Sequence, residues 1–433
     1  MNAEVRLWGT TIGAVALEAG DAVAAFQYAP EFLASGIEVS PLMMPLRERT
    51  YTFPELARES FHGLPGMLAD ALPDKFGNAL IDAWLATQGR SGAGFNAVER
   101  LCYTGARGMG ALEFYPRIGP RPRQAVAIEI DALVELASAV LRERDGLRGD
   151  LTAEGRGKAL NDILRVGTSA GGARAKAVIA WNPATNEVRS GQVEAGAGFE
   201  YWLLKFDGVS GNRDKELDDP QGFGAIEYAY HLMARAAGIT MGDCRLLEEN
   251  GRRHFMTRRF DRTVDGGKLH LQSLGGLAHL DFNQAGASSY EQALQVIRRL
   301  GLPMAAVEEQ VRRMLFNVVA RNQDDHVKNI AFLMDRRGQW SLAPAFDVMY
   351  AYNPSGPWTA THQMTINGKR DGFTPADFEA CAQVGVMKRG RSRAILDEVV
   401  AAVRRWPEFA YRAGVPEDWI RRVATAHRLE WGR

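Results

Sequence analysis

Apolar residues in this chain follow three different rhythms. From the start they alternate with polar ones: Val5 and Leu7, then Ile12 to Leu17, then Val23 to Tyr28, with a turn at Gly9-Thr10. Period-2 patterning of this kind predicts a small antiparallel sheet. Later, short apolar runs appear at Ala177–Trp181, Tyr201–Phe206 (interrupted by Lys205) and Ile330–Met334. They are too short for core helices and read as buried strands. Helical spacing governs residues 75–86, residues 131–143 and Ile226–Ile239, where Gly238 is the expected C-cap. After residue 258 it dominates, over Tyr290–Leu300, Ala305–Ala320, Ala394–Trp406 and Asp418–Trp431. The proline-rich stretch from Tyr115 to Arg123 reads as a linker. The order is therefore a first α+β unit (1–120), a sheet-rich lobe (125–257) and a helical lobe (258–433).

The densest chemistry lies in Arg321–Asp347. Ile330–Met334 is a strand, Asp335–Gln339 is turn chemistry, and Trp340–Pro344 returns. Pairing Ile330 with Pro344 sets Asn329 opposite Ala345, so Asp347 arrives close to Asn329 although 18 positions separate them. Asp324 precedes Asn329 by five residues. An Asp-x-x-x-x-Asn loop, a hairpin and a second Asp form the set that phosphoryl transfer in protein kinases requires: one carboxylate for the acceptor hydroxyl, an amide and a carboxylate for magnesium on the phosphates. A polar turn capped by Asp324 or Asp325 is the plain structural alternative. His326 is expected to hold the loop, and Lys328 is a candidate for phosphate contact.

Upstream features bear on that choice. Thr168-Ser169-Ala170-Gly171-Gly172-Ala173-Arg174-Ala175-Lys176 feeds a strand, and its small residues would let backbone N–H groups approach phosphates. It matches neither G-x-x-x-x-G-K-[ST] nor G-x-G-x-x-G. Lys205 stands inside an apolar strand, where a cation needs a partner; Glu227, near the start of the next helix, is the candidate. Arg253–Arg262 reads as a strand running into a connector between lobes.

Composition narrows the field further. At 433 residues the chain is too long for one typical core. Its 52 basic and 52 acidic residues cancel, so the chain as a whole is not a polyanion binder. Three scattered cysteines make no zinc spacing and suit a reducing cytoplasm. No apolar run is long enough to span a membrane, and no secretory signal is expected.

Taken together, these segments resemble the HipA family, the serine/threonine kinase toxins of bacterial toxin–antitoxin pairs. The resemblance rests on Phe26–Gly36, Ala71-Leu72-Pro73-Asp74 and Gly105–Leu112. It continues through Ser169–Lys176, Lys205, Ile226-Glu227-Tyr228, Arg259-Phe260-Asp261-Arg262, Asp324–Asn329 and Asp347. It implies a bilobal protein-kinase-like α+β fold with an extra N-terminal α+β subdomain, and ATP and Mg2+ as cofactors. Asp324 would be the catalytic aspartate, with Asn329 and Asp347 on the metal. Ser169, Gly171, Gly172, Lys176, Lys205, Arg259, Phe260 and Lys328 would lie at ATP, with Glu227 and His326 supporting. Ser169, or the adjacent Thr168, would be autophosphorylated and thereby inactivate the enzyme. A helix-turn-helix antitoxin of the HipB kind, operator DNA bound mainly through it, and an aminoacyl-tRNA synthetase as substrate are the implied partners. Aminoglycoside-type small-molecule kinases share the Asp-x-x-x-x-Asn logic, and a non-catalytic nucleotide-binding co-regulator of an antitoxin is the remaining alternative.

Overall fold

The starting alternation closes into an antiparallel sheet of order β4-β3-β2-β1-β5. Its strands are β1 (Asn2–Leu7), β2 (Thr10–Ala16), β3 (Ala25–Tyr28), β4 (Thr50–Tyr51) and β5 (Leu112–Tyr115). The first turn is Trp8-Gly9, one residue earlier than the sequence suggests, with φ of 52° and 84° at the two positions; a positive pair suits the twist of a two-residue hairpin. This computed structural model describes residues 1–119, 128, 130–142, 174–192, 194–209, 222–263 and 266–432, and the statements below concern those residues. Val5, Leu7, Val15 and Phe26 face one core with Phe61, Leu68, Val98 and Leu101. The last four come from α2 (Arg58–Phe61), α3 (Gly66–Ala69) and α5 (Ala97–Thr104); α1 (Pro30–Leu33) and α4 (Lys75–Thr87) complete the unit. Asp74 caps α4, accepting from Gly77 N at 2.6 Å.

A second antiparallel sheet has the order β7-β6-β8-β10-β9: β6 (Lys176–Trp181), β7 (Val188–Ser190), β8 (Glu200–Lys205), β9 (Cys244–Glu249) and β10 (Arg252–Arg258). All six residues of β6 are buried. One face of this sheet packs on α6 (Ile130–Arg142) and on α4 of the first unit, through Phe76, Leu80, Leu133, Ile179 and Leu204. The register sets Lys176 and Phe255 on either side of Lys205. The connection between β8 and β9 carries α7 (Phe223–Ala236), and Gly238 just past it takes φ +81°.

The rest is mostly helical: α8 (Leu274–Ala278), α9 (Tyr290–Arg299), α10 (Met304–Val319), α11 (Pro375–Val384), α12 (Arg391–Val403), α13 (Trp406–Ala413) and α14 (Glu417–Ala426). Within it lies a sheet of order β11-β12-β13: β11 (His270–Ser273), β12 (Ala331–Met334) and β13 (Trp340–Leu342). The hairpin has the register anticipated above: Phe332 pairs with Leu342 and Met334 with Trp340, and Ala343 N donates to Ala331 O at 2.9 Å. β11 has no counterpart in the sequence reading. Nor does α13: the helix read over Ala394–Trp406 ends at Val403, and Pro407 fits the first turn of a new one.

Two features tie the units together. α3 crosses α8 so closely that a Cβ on Gly276 would stand 2.3 Å from Asp70 Oδ2, and Asp70 accepts from Ser273 N at 2.6 Å and Ser273 Oγ at 2.8 Å. α7 belongs to the helical core: Phe223, Ile226 and Tyr230 pack with Met314, Phe316 and Trp406. Its Tyr230 hydroxyl donates to Ala320 O at 2.6 Å, and Arg253 at the start of β10 donates to Ala413 O at 2.9 Å. No helix among the described residues is long and apolar enough to cross a membrane.

Candidate functional site

β8 ends by burying Lys205, which is 4% exposed. Its Nζ lies 2.5 Å from Glu227 Oε1 on α7 and also donates to Asp347 Oδ1 beyond β13. The second oxygen of Glu227 accepts from Arg174 at 3.0 Å. Burial alone would lower the Lys205 ammonium, but Asp347 and Glu227 hold it well above its usual range. Burial would raise Asp347, yet Lys205 and then Lys176 hold its carboxyl far below the usual carboxylate range. Asp347 itself takes φ +53°, a left-handed conformation that Asp tolerates better than most residues.

Lys176, beside Lys205 in the sheet, is buried and lies 3.4 Å from Asp74 Oδ2. The first unit therefore contributes a carboxylate to the same cleft. Burial pushes Asp74 up to about 6 against the pull of Lys176.

α10 delivers the loop from Arg321 to Asn329. Two adjacent aspartates there face opposite ways. Asp325 is buried and accepts three hydrogen bonds: Tyr290 OH at 2.7 Å, His362 Nδ1 at 2.8 Å and Gln363 N at 2.8 Å. Burial would raise its carboxyl, but His362 and these bonds hold it below its usual value. Asp324 is 44% exposed to the cleft. Its Oδ1 accepts from Trp358 Nε1 at 2.6 Å, and His326 Nε2 is 3.8 Å away. Crowding by protein raises its carboxyl, and Asp347 adds to that rise. Asn329 Nδ2 donates to Asp324 O at 2.8 Å, which fixes the amide across the loop.

Asp324, His326, Asn329, Asp347, Lys205, Glu227 and Lys176 thus belong to one neighbourhood. Among the described residues no cluster of three or more His, Cys, Asp or Glu side chains forms a metal cage. The hard oxygen donors available, from Asn329 and Asp347, fit a magnesium ion that takes its other ligands from phosphate and water. Lys328 turns elsewhere: its Nζ sits 4.5 Å over the Phe282 ring, beside a cleft that includes Ser60, Asp70 and Gly276. Arg259 is buried and bonded to both oxygens of Asp261 at 2.9 and 2.7 Å, while Asp261 also accepts from Gly110 N at 2.7 Å. Phe260 packs on Phe346, next to Asp347, with ring centroids 5.5 Å apart. Thr168, Ser169, Gly171 and Gly172 lie outside the described residues. Sequence reasoning passed over Trp358, His362 and Gln363, which carry no local spacing signal, and read Asp325 only as an alternative turn cap. Asp74 and Arg174 were within quoted motifs but had been given no place at the cleft.

A sheet-rich lobe with a Lys–Glu pair, a helical lobe with an Asp/Asn loop, and a docked N-terminal unit define a bilobal kinase-like α+β fold. Residues 3–115 match the HipA N-terminal domain and residues 168–406 the HipA-like C-terminal domain. The chain belongs to the HipA family. Its fold is similar, over 98% of this chain and 95% of the other, to a chain of the toxin–antitoxin complex of HipA, HipB and operator DNA from Shewanella oneidensis MR-1 (TM-score 0.68, 17% identity). It is 28% identical over 191 residues to Y4mE of Sinorhizobium fredii, a protein named as a kinase. That match spans 40% of this chain and 44% of the relative, so less than half of the curated relative's length is covered.

Proposed function

We propose that this chain is an ATP- and Mg2+-dependent protein kinase that phosphorylates serine or threonine, and that it is the toxin of a toxin–antitoxin pair. The observation that carries the reading is Lys205, held by Glu227 at 2.5 Å and by Asp347 in the cleft that Asp324 and Asn329 share. Asp324 orients the acceptor hydroxyl and takes its proton as the oxygen bonds to the γ-phosphorus. The bond to the bridging oxygen breaks and ADP leaves. Lys205 exchanges Asp347 for phosphate oxygens, while Glu227 keeps its ammonium in place. Mg2+ held by Asn329 and Asp347 would supply charge neutralisation on the phosphates.

Family membership supports a toxin role, and the S. fredii relative named as a kinase supports the activity. The S. oneidensis complex with HipB and operator DNA supports an antitoxin partner. A net charge of zero agrees with DNA being bound mainly through that antitoxin. The substrate we propose is a translation component such as an aminoacyl-tRNA synthetase, in the cytoplasm. Autophosphorylation at Ser169 would silence the enzyme by setting nearly two negative charges where ATP phosphates bind.

The test is incubation with γ-labelled ATP and Mg2+, with Asp324→Asn as control, followed by phosphoamino-acid analysis. Label on serine or threonine that is lost in the variant supports the reading. Nucleotide binding without label on any protein would overturn it in favour of a regulator.

A further inference from the structure

The segment after Asp347 comes back over the Arg321–Asn329 loop and places an indole against Asp324. Trp358 Nε1 donates to Asp324 Oδ1 at 2.6 Å. Among the described residues the carboxylate has no other hydrogen-bond donor, so Oδ2 is uncommitted. An indole N–H is a donor only and cannot compete for a substrate proton. The main chain that carries the indole is itself held. Gln363 Nε2 donates to Trp358 O, and Gln363 N donates to the buried Asp325 at 2.8 Å. Asp325 is the chain neighbour of Asp324, so the two aspartates and Trp358 form a closed circuit: 324 to 358, 358 to 363, 363 to 325 and back through one peptide bond.

From this circuit we infer that Trp358 is a positioning residue for phosphoryl transfer: its N–H fixes the rotation of the Asp324 carboxylate and reserves Oδ2 for the acceptor hydroxyl. The inference rests on Asp324 being the residue that receives that hydroxyl. A carboxylate free to spin about its last torsion presents the wrong oxygen much of the time, and small misplacements of reacting groups cost up to about 100-fold in rate. A charge-assisted bond also makes the carboxylate less basic.

The experiment compares wild type, Trp358→Phe, which keeps an aromatic ring but loses the donor, and Asp324→Asn, across pH 5 to 9. Trp358→Phe is expected to lower kcat about tenfold or more at pH 7 and to leave the KM for ATP unchanged. Its acid limb should move to higher pH, since the bond from Trp358 favours the ionised carboxylate. A variant with the kcat and pH profile of wild type, while Asp324→Asn is inactive, overturns the inference and leaves the kinase reading intact. A wild type without transfer to any protein overturns both. A second measurement does not depend on the variant's activity. The Trp358 indole N–H resonance, assigned by its loss in Trp358→Phe, is expected to move in Asp324→Asn; an unmoved resonance overturns the inference.

Discussion

Neighbouring aspartates in one loop should give opposite phenotypes. Asp325→Ala strands three buried donors at once: the Tyr290 hydroxyl, the His362 imidazole and the Gln363 N–H, now at 2.7, 2.8 and 2.8 Å from its oxygens. A buried donor left without an acceptor costs about 1–3 kcal/mol. The Tyr290 hydroxyl can rotate and water can enter the void, so we expect a total of about 4 kcal/mol rather than the upper limit. For a chain of 433 residues unfolding as one unit that corresponds to a fall in Tm of roughly 4 °C. Asp324→Ala removes a single bond, to Trp358, at a half-exposed position. Water can replace the lost partner there, so the expected cost is below about 1.5 kcal/mol. Calorimetry of the two variants and wild type reads the difference directly. The pH dependence gives a second readout. The Asp325 carboxyl is held below its usual value in the folded chain, so its contribution is present above the unfolded value of about 3.9 and is lost as pH falls through the folded one. Asp325→Ala should lack that acid limb. Equal Tm values for Asp325→Ala and wild type, or equal losses in both variants, would refute the division of labour between the two residues.

Three further outcomes are expected. Glu227→Ala removes the carboxylate that Lys205 and Arg174 share while Asp347 still holds Lys205, which should cost about 3 kcal/mol in denaturant titration and abolish labelling. Asp74 is pushed up to about 6 by burial, so the folded chain holds a proton there that the unfolded chain releases; stability should therefore fall by up to roughly 3 kcal/mol as pH rises from 4 to 6, and Asp74→Asn should flatten that window in Tm-versus-pH curves. Gly276→Ala drives a Cβ to 2.3 Å from Asp70 Oδ2 and should lower stability by about 1–3 kcal/mol, measured as a lower Tm.

What was legible in the sequence followed from local rhythm and spacing. The hairpin register could be read because turn residues bracket two short apolar runs, and the pairs from Ala331–Ala343 to Met334–Trp340 follow it. Lys205 and Glu227 could be paired because a lysine inside Tyr201–Phe206 demands an acid. β11 was not legible: four residues that pair only across a long loop have no period of their own. Trp358, His362 and Gln363 escaped for a similar reason, since their partners lie 34 to 38 positions away and nothing in their spacing points there. Asp74 escaped because its local role, capping α4, accounts fully for its residue type. The side chain of Arg259 turns to Asp261 and so to the first unit, a destination that the short motif around it does not encode.

The anchoring of α7 has a consequence for control. Where the Lys–Glu contact depends on a helix that can swing outward, an enzyme can be idled by letting that helix drift. Here the helix shares its apolar seam with Phe316 and Trp406, and its Tyr230 grips the carbonyl of Ala320 at the root of the aspartate loop. Drift would tear open the hydrophobic interior of the C-terminal half. If the chain works as proposed, silencing that leaves this packing intact acts by filling or capping the cleft, and the silenced form should then melt no earlier than the working one.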